Sequence, residues 1–323
     1  MKRRDFVKNT ALATGTLMLP WTLKADRSGK MKKIKFGLIA DVHQDVMHDG
    51  EKRLAAFVEA STKKKMDFIM QLGDFCRPYD YNLPFLNIFN GFDGPKYHLL
   101  GNHDTDGGFS REQAMEFWGM KSRYYSFDQA GYHFVVLDGN DPNPKPWSGY
   151  NRYINQEQQD WLRKDLASTD LHTIIFSHQT LENEDGGVAN LKDVQGILES
   201  ANNQAGFTKV IASICGHHHT DYMTQINDIY YVQINSASYR WVGGDYKQVR
   251  YSKEIDEKYP WIKYTIPYKD PLYTFVEINP KGYLTIAGSK TEFVGPDPAE
   301  MNMPQPEANN PVVPRISDFK MDF

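Results

Sequence analysis

The chain has 323 residues, 40% of them hydrophobic, enough for one large domain with a substantial core or for two small ones. Its formal net charge is −4, and no apolar stretch approaches the roughly 20 residues that a membrane-crossing helix needs. An acidic chain is a poor match to a nucleic-acid track, which needs a basic patch, so neither a nucleic-acid partner nor a membrane span is expected.

Residues 1–25 read as an export signal rather than as part of the fold. Lys2-Arg3-Arg4-Asp5-Phe6-Val7-Lys8 is basic, Asn9 to Leu23 is moderately apolar, and Ala25 offers a cleavage point. Arg3-Arg4 followed by Phe6 and Lys8 resembles a twin-arginine signal, which implies a periplasmic or extracellular location. The bland alternative is a chance basic terminus before an ordinary first helix. The segment alone carries +4 (Lys2, Arg3, Arg4, Lys8 and Lys24 against Asp5), so the remainder of the chain is −8. That charge still permits a small anionic substrate if bound cations supply positive charge locally.

From 32 to 292 the pattern predicts a single domain of alternating strands and helices. Ile34 to Ala40 is a near-continuous apolar run, as in a strand covered on both faces. Glu51 to Lys65 has helical spacing, with Leu54, Phe57 and Val58 on one side. Further strands are expected at Asp67 to Leu72 and Lys96 to Leu100, with a short helix at Asn82 to Asn90 between them. Arg123 to Phe127 and Tyr132 to Asp138 read as a hairpin, followed by a proline-rich loop from Asp141 to Trp147. Asn155 is placed to cap a helix running to about Ala167. Thr173 to Ser177, Val210 to Cys215, Ile229 to Ile234, Leu272 to Ile278 and Tyr283 to Ala287 complete the strands, with a helical segment from Lys192 to Ala201. Residues 240–270 form an aromatic-rich insertion that packs on the core or walls a pocket. Residues 293–323 read as a Pro-rich extended tail. The mixture predicts an α/β fold of two packed sheets flanked by helices, not a purely parallel doubly wound sheet.

Five short segments at the ends of these strands carry the chemistry: Asp41-Val42-His43, Gly73-Asp74, Gly101-Asn102-His103-Asp104, His178 and Gly216-His217-His218-His219. Strand ends hold side chains rigidly at a sheet rim, where distant parts of a chain converge. Asp41 and His43, and likewise His217 and His219, are one residue apart; in extended chain each pair points to one side. Asp74 has two oxygens with which to bridge two cations, and Asn102 has a neutral carbonyl oxygen. His103 is placed to face a leaving group, with Asp104 behind it to fix its tautomer. Carboxylate, imidazole and amide oxygens together suit Mn, Fe or Zn. Cys76 and Cys215 read as small, inert buried thiols.

Together the segments resemble the calcineurin-like metallophosphoesterase superfamily, whose pattern is D-x-H, G-D, G-N-H-D/E, an isolated H and G-H-x-H; the match covers residues 41–219. The resemblance implies a four-layer α/β/β/α sandwich. It implies one divalent metal on Asp41, His43, Asp74 and His219 and a second on Asp74, Asn102, His178 and His217. It further implies attack of a metal-bridging hydroxide on phosphorus, with His103 as acid to the leaving group. Purple acid phosphatases carry a tyrosine ligand three residues after the bridging Asp; here that position is Arg77, so a purple colour is not expected. The expected substrate is a small phosphate mono- or diester, with Arg77, Tyr79, Arg152 and Arg240 as candidate anchors, each also readable as an ordinary surface residue. The alternative is a catalytically silent metal-binding or protein-interaction module on the same scaffold.

Overall fold

The computed structural model describes residues 30–304 and 307–323, so the expected signal peptide lies outside the described residues. The chain opens with β1 (Ile34–Ile39), α1 (Gly50–Lys63) and β2 (Phe68–Gln71). It continues through α2 (Leu83–Asn90), β3 (Lys96–His98) and α3 (Arg111–Trp118) to the hairpin β4 (Tyr125–Gln129) and β5 (Tyr132–Val136). Then come α4 (Gln156–Ala167), β6 (His172–Phe176), α5 (Leu191–Ala205), β7 (Val210–Cys215), β8 (Tyr222–Ile226) and β9 (Ile229–Gln233). The insertion contributes β10 (Tyr239–Trp241), α6 (Lys253–Lys258) and β11 (Thr265–Pro267). The last elements are β12 (Thr274–Asn279), β13 (Tyr283–Ile286), β14 (Ser289–Lys290), β15 (Arg315–Ile316) and β16 (Phe319–Asp322).

Two six-stranded mixed sheets form, in the orders β16-β13-β12-β1-β2-β3 and β4-β5-β6-β7-β9-β8. Their facing sides bury Phe36, Leu38, Phe68, Phe134, Phe176, Ile214 and Val232 in one core. The outer face of the first sheet packs Ile39 and Ile69 against Leu54 and Phe57 of α1 and Phe85 and Phe89 of α2. The outer face of the second packs Val135 and Ile175 against Leu162 of α4 and Val194 and Leu198 of α5. The result is the four-layer α/β/β/α sandwich. A strand buried on both faces favours apolar residues at nearly every position, which is why β1 and β7 read as near-continuous apolar runs.

Several regions differ from the sequence expectation, among them β8, an unanticipated edge strand that pairs antiparallel with β9. Residues 293–323 are not only a tail, because β16 pairs antiparallel with β13 as the edge of the first sheet and buries Met321. The strand Phe-Lys-Met-Asp has only two apolar residues, too weak a pattern to announce itself. The helix α3 was also missed, although Ser110 and Gln113 form a capping box whose spacing is readable in sequence.

His133 on β5 ties the second sheet to its surroundings, contacting Asp128 of β4 at 2.6 Å and Asp165 of α4 at 2.8 Å. Burial opposes its charge, but the two carboxylates outweigh that and raise its pKa above the usual histidine value. A raised folded-state pKa contributes stability that is fully present below the unfolded value near 6.5 and is lost as pH rises through the folded value. His133→Gln is therefore expected to destabilise the protein by roughly 1–2 kcal/mol at pH 5.5, with a smaller deficit at high pH. Urea denaturation of both proteins at pH 5.5 and at high pH checks this; an equal deficit at both would contradict a charged pair.

Candidate metal centre

In the first sheet β1, β2 and β3 run parallel, and in the second β5, β6, β7 and β9 do. The carboxyl ends of β1, β2, β3, β6 and β7 meet at one edge of the sandwich. Asp41 and His43 follow β1, Asp74 follows β2, Asn102 and His103 follow β3, His178 follows β6, and His217 and His219 follow β7. The loops are stitched together by backbone bonds from the Asp41 amide to the Gly73 carbonyl (3.1 Å) and from the His43 amide to the Asp74 carbonyl (2.9 Å). The second sheet joins when the His217 amide donates to the Asp41 carboxylate at 3.0 Å.

The pairing of Asp41 with His43 and of His217 with His219 does not come from extended chain, as the sequence reading supposed. All four residues, and Asp74, have left-handed backbone, with φ between 48° and 71°. Asp and His tolerate this region better than most residues, yet each such position costs of order 1–3 kcal/mol. The turns are fixed from behind by Ser236, whose hydroxyl donates to the Asp41 carbonyl (2.8 Å), and by Ser238, which does the same to Val42 (2.7 Å). Two glycines are obligatory for closeness. Gly73 sits at φ +90°, and a Cβ there would press on the His178 ring. At Gly101 a Cβ would overlap the Asp74 amide and carboxylate.

The side chains gather as two triads, Asp41 with His43 and His219, and Asp74 with His178 and His217, the ligand atoms of each lying within 4.8 Å of one another. Asp74 lies between them, its Oδ2 3.1 Å from His178 Nε2 and 3.6 Å from His43 Nε2. His178 Nδ1 donates to the Leu72 carbonyl at 2.7 Å and His219 Nδ1 to that of Tyr239 at 2.7 Å. Each bond fixes the tautomer and leaves the Nε2 lone pair bare. Those lone pairs lie 3.2 Å from His217 Nδ1 and 3.1 Å from His43 Nε2. Asn102 belongs to the same cluster by chain position, and its buried carbonyl oxygen has no protein partner. Crowded lone pairs, two buried carboxylates and an orphaned amide oxygen need positive charge between them, and the donor set fits two borderline divalent cations.

The protonation pattern of the bare chain carries the same message. Burial opposes a charge on His178, but Asp74, Asp41 and the Leu72 carbonyl together push its pKa up to about 10. Burial also opposes the charge on Asp74, and His178 and His103 outweigh it, holding Asp74 well below the usual carboxylate range. Burial and neighbouring imidazoles keep His43 and His217 well below the usual histidine range, as metal ligation requires.

The partner of His103 is not Asp104. Asp104 is buried and accepts from the backbone amides of Gly101 (2.7 Å), Asp74 (2.9 Å) and Phe75 (2.7 Å), so it shapes the loops. Burial and Asp74 push its pKa up to about 8 against the Gly101 and Phe75 amides and His178. His103 Nδ1 instead meets Asp106 at 2.8 Å, and the Tyr150 hydroxyl donates to the same carboxylate at 2.9 Å. Burial lowers the His103 pKa, while Asp74 and Asp106 more than offset it, so His103 keeps its proton to higher pH than an ordinary histidine. Asp106 and Tyr150 were missed in the sequence: one sits in a polar turn, the other in an irregular loop whose path no local pattern gives.

A cavity of about 740 Å³ opens over the triads. Of the four anchors expected, Arg77 and Arg240 line it. Arg77 pairs with Asp106 at 3.3 Å, and Arg240 Nη1 donates to the carbonyls of His218 and His219. Tyr79 and Arg152 do not line it: Tyr79 stacks on Tyr81, and the Arg152 guanidinium lies over the Trp147 ring. The insertion does both things expected of it. Ile262 and Tyr239 pack on Val46 and Met47, while Tyr239, Trp241 and Trp261 wall the cavity. Both cysteines are free and buried.

Paired carboxylate–imidazole triads at the strand ends of a two-sheet sandwich are a donor arrangement suited to divalent cations. The chain belongs to the calcineurin-like phosphoesterase family, whose model matches residues 34–221. It is similar to a manganese-dependent ADP-ribose/CDP-alcohol diphosphatase of Arabidopsis thaliana, 30% identical over 139 residues, which cover 35% of this chain and 44% of that protein; the match thus spans less than half of the curated relative. In fold it is similar to a dimetal phosphatase from Danio rerio (TM-score 0.58, 16% identity, 81% of this chain and 98% of that one). It is also similar to the anchor protein in the inner membrane complex of Plasmodium (TM-score 0.51, 15% identity, 90% and 89%).

Gly101→Ala is expected to displace Asp74 and reduce bound metal at least about ten-fold, the scale seen when ligand-orienting contacts are lost. Elemental analysis of the folded variant checks this; full metal content would show that the tight approach at Gly101 is dispensable.

Proposed function

We propose that this chain is an exported dinuclear-metal phosphoesterase that hydrolyses small phosphate mono- or diesters. The observation that carries the reading is the placement of His103 beside two adjoining triads that share Asp74 as neighbour. Asp41, His43, Asp74 and His219 would hold one cation, and Asp74, Asn102, His178 and His217 the other. Bound there, divalent cations lower the pKa of water toward ~7 and neutralise charge on phosphoryl oxygens. The manganese named for the Arabidopsis relative supports Mn first, with Fe and Zn remaining compatible with the same donors.

The chain's own residues supply the rest. His103, with Nδ1 tied to Asp106, has Nε2 left to give a proton to the departing alcohol oxygen. Asp106, held by Tyr150 and Arg77, stabilises the protonated ring. The His103 amide donates to Asp74 Oδ1 at 2.8 Å, so acid and carboxylate keep a fixed separation. Arg240 stands at the wall with its guanidinium anchored at one nitrogen, placing positive charge beside an anionic substrate. The basic Arg3-Arg4 segment supports export.

With Mn supplied, p-nitrophenyl phosphate or its bis ester is expected to be turned over. His103→Ala should lower kcat by about 10²–10⁴ with metal content kept. No metal-dependent turnover of any phosphoester would favour the silent module, and parallel loss of metal would remove the role given to His103. For export, the double change Arg3→Lys and Arg4→Lys should retain the protein in the cytoplasm on cell fractionation; unchanged export would sink the twin-arginine reading.

A further inference from the structure

Part of the cavity lining is aromatic, and the hydrolytic roles assigned above leave Trp241 and Trp261 unused. Trp241 and Trp261 are 46% and 54% exposed, although burial of indole is strongly favourable. Both line the same cavity as His43, Asp74 and His103. Their rings flank Tyr264 in a row, with centroids 5.9 Å apart for Trp241 and Tyr264 and 5.7 Å for Trp261 and Tyr264. The row is built on ordered backbone. Trp241 belongs to β10, where it pairs with Thr265 of β11, and the Val242 amide donates to the Tyr264 carbonyl at 2.9 Å. At the other end of β10, Tyr239 lies against His43 and His219, with ring centroids 5.0 and 4.9 Å away. Two residues of strand span roughly 7 Å, about the width of a sugar ring. Arg240 stands between the two, as a charge beside the interval.

We propose that Trp241 and Trp261 form a stacking subsite for the planar base of a nucleoside phosphoester whose phosphoryl group sits at the metal triads. The inference rests on the phosphoesterase reading and adds to it the substrate class. Hydrolysis forms a bond from water oxygen to phosphorus, breaks the bond from phosphorus to the nucleoside 5′ oxygen, and leaves a proton on that oxygen. An aromatic row fits a base because every base presents a π-face to it and needs no fixed set of hydrogen bonds. A lipid tail fits worse: the lining of the same cavity includes Asp45, Arg77, Asp106 and Arg240, which an alkyl chain would leave without water or partners.

The test compares the phosphonates of adenosine and of ribose in which CH2 replaces the 5′ ester oxygen, so that neither is cleaved. Calorimetric Kd values are measured on the Mn-loaded full chain. The base is expected to tighten binding at least about ten-fold. Trp241→Ala and Trp261→Ala should each remove most of that advantage, and the Phe variants should restore part of it. Equal Kd values for the two ligands, or a base advantage that survives both alanine changes, would overturn the subsite. Turnover of p-nitrophenyl phosphate separates the two readings. If it persists while the base adds nothing, only the subsite fails; if the base binds and no ester is cleaved, the hydrolase fails and the subsite stands.

Discussion

The site depends on an electrostatic conflict built into the fold. His178 and His219 each spend one ring nitrogen on a backbone carbonyl, which aims the other, unprotonated, at a neighbouring imidazole little more than 3 Å away. Asp41 and Asp74 bring buried negative charge into the same space. In the bare chain burial opposes a charge on His178, but Asp74 and Asp41 push its pKa up to about 10; cations held there would supply that positive charge instead. The left-handed backbone at Asp41, His43, Asp74, His217 and His219 adds conformational cost at the same positions. Such strain persists only where the surroundings over-determine it.

The surroundings do so from both sheets and from the end of the chain. Ser236 and Ser238 hold the loop after β1, and Asn235 beside them donates to the carbonyls of Val313 and Arg315. Thr220 next to His219 donates to Pro311, and Asp221 accepts from Arg315 and Ser317. The segment 311–317 thus straps the loop after β7 to the loop after β9. The buried Arg53 does similar work from α1, donating to the carbonyls of Ala237 and Tyr268. Fold and site are therefore one object: the strand ends are rigid because the layers behind them are closely packed, and the strap closes the edge that the layers leave open.

The six residues that gather as the two triads, and both central strands of each sheet, were legible because their signals are local. Apolar runs mark strands buried on two faces, and glycine next to Asp, Asn or His marks a turn where backbone must come close. The reason first given for the spaced pairs was wrong, since alternate left-handed turns and alternate positions of a strand bring the same residues together. The proton partner of His103 was misplaced on Asp104 because adjacency in sequence suggested it; the amides of three residues from two loops claim that carboxylate instead. Tyr150, the serines behind Asp41 and the pairing of β16 act across 33 to 196 residues of chain and leave no local trace. The aromatic insertion was visible as composition, but which rings face the cavity is a tertiary fact.

The most direct test is anomalous diffraction from crystals of the protein grown with Mn, collected across the metal absorption edge. The account predicts two peaks with Asp74 between them, one within bonding distance of His43 and His219 and the other of His178 and His217. Asn102 should turn its oxygen to the second. A single peak, or none with all seven side chains in place, would contradict the proposal that the cluster holds a pair of cations.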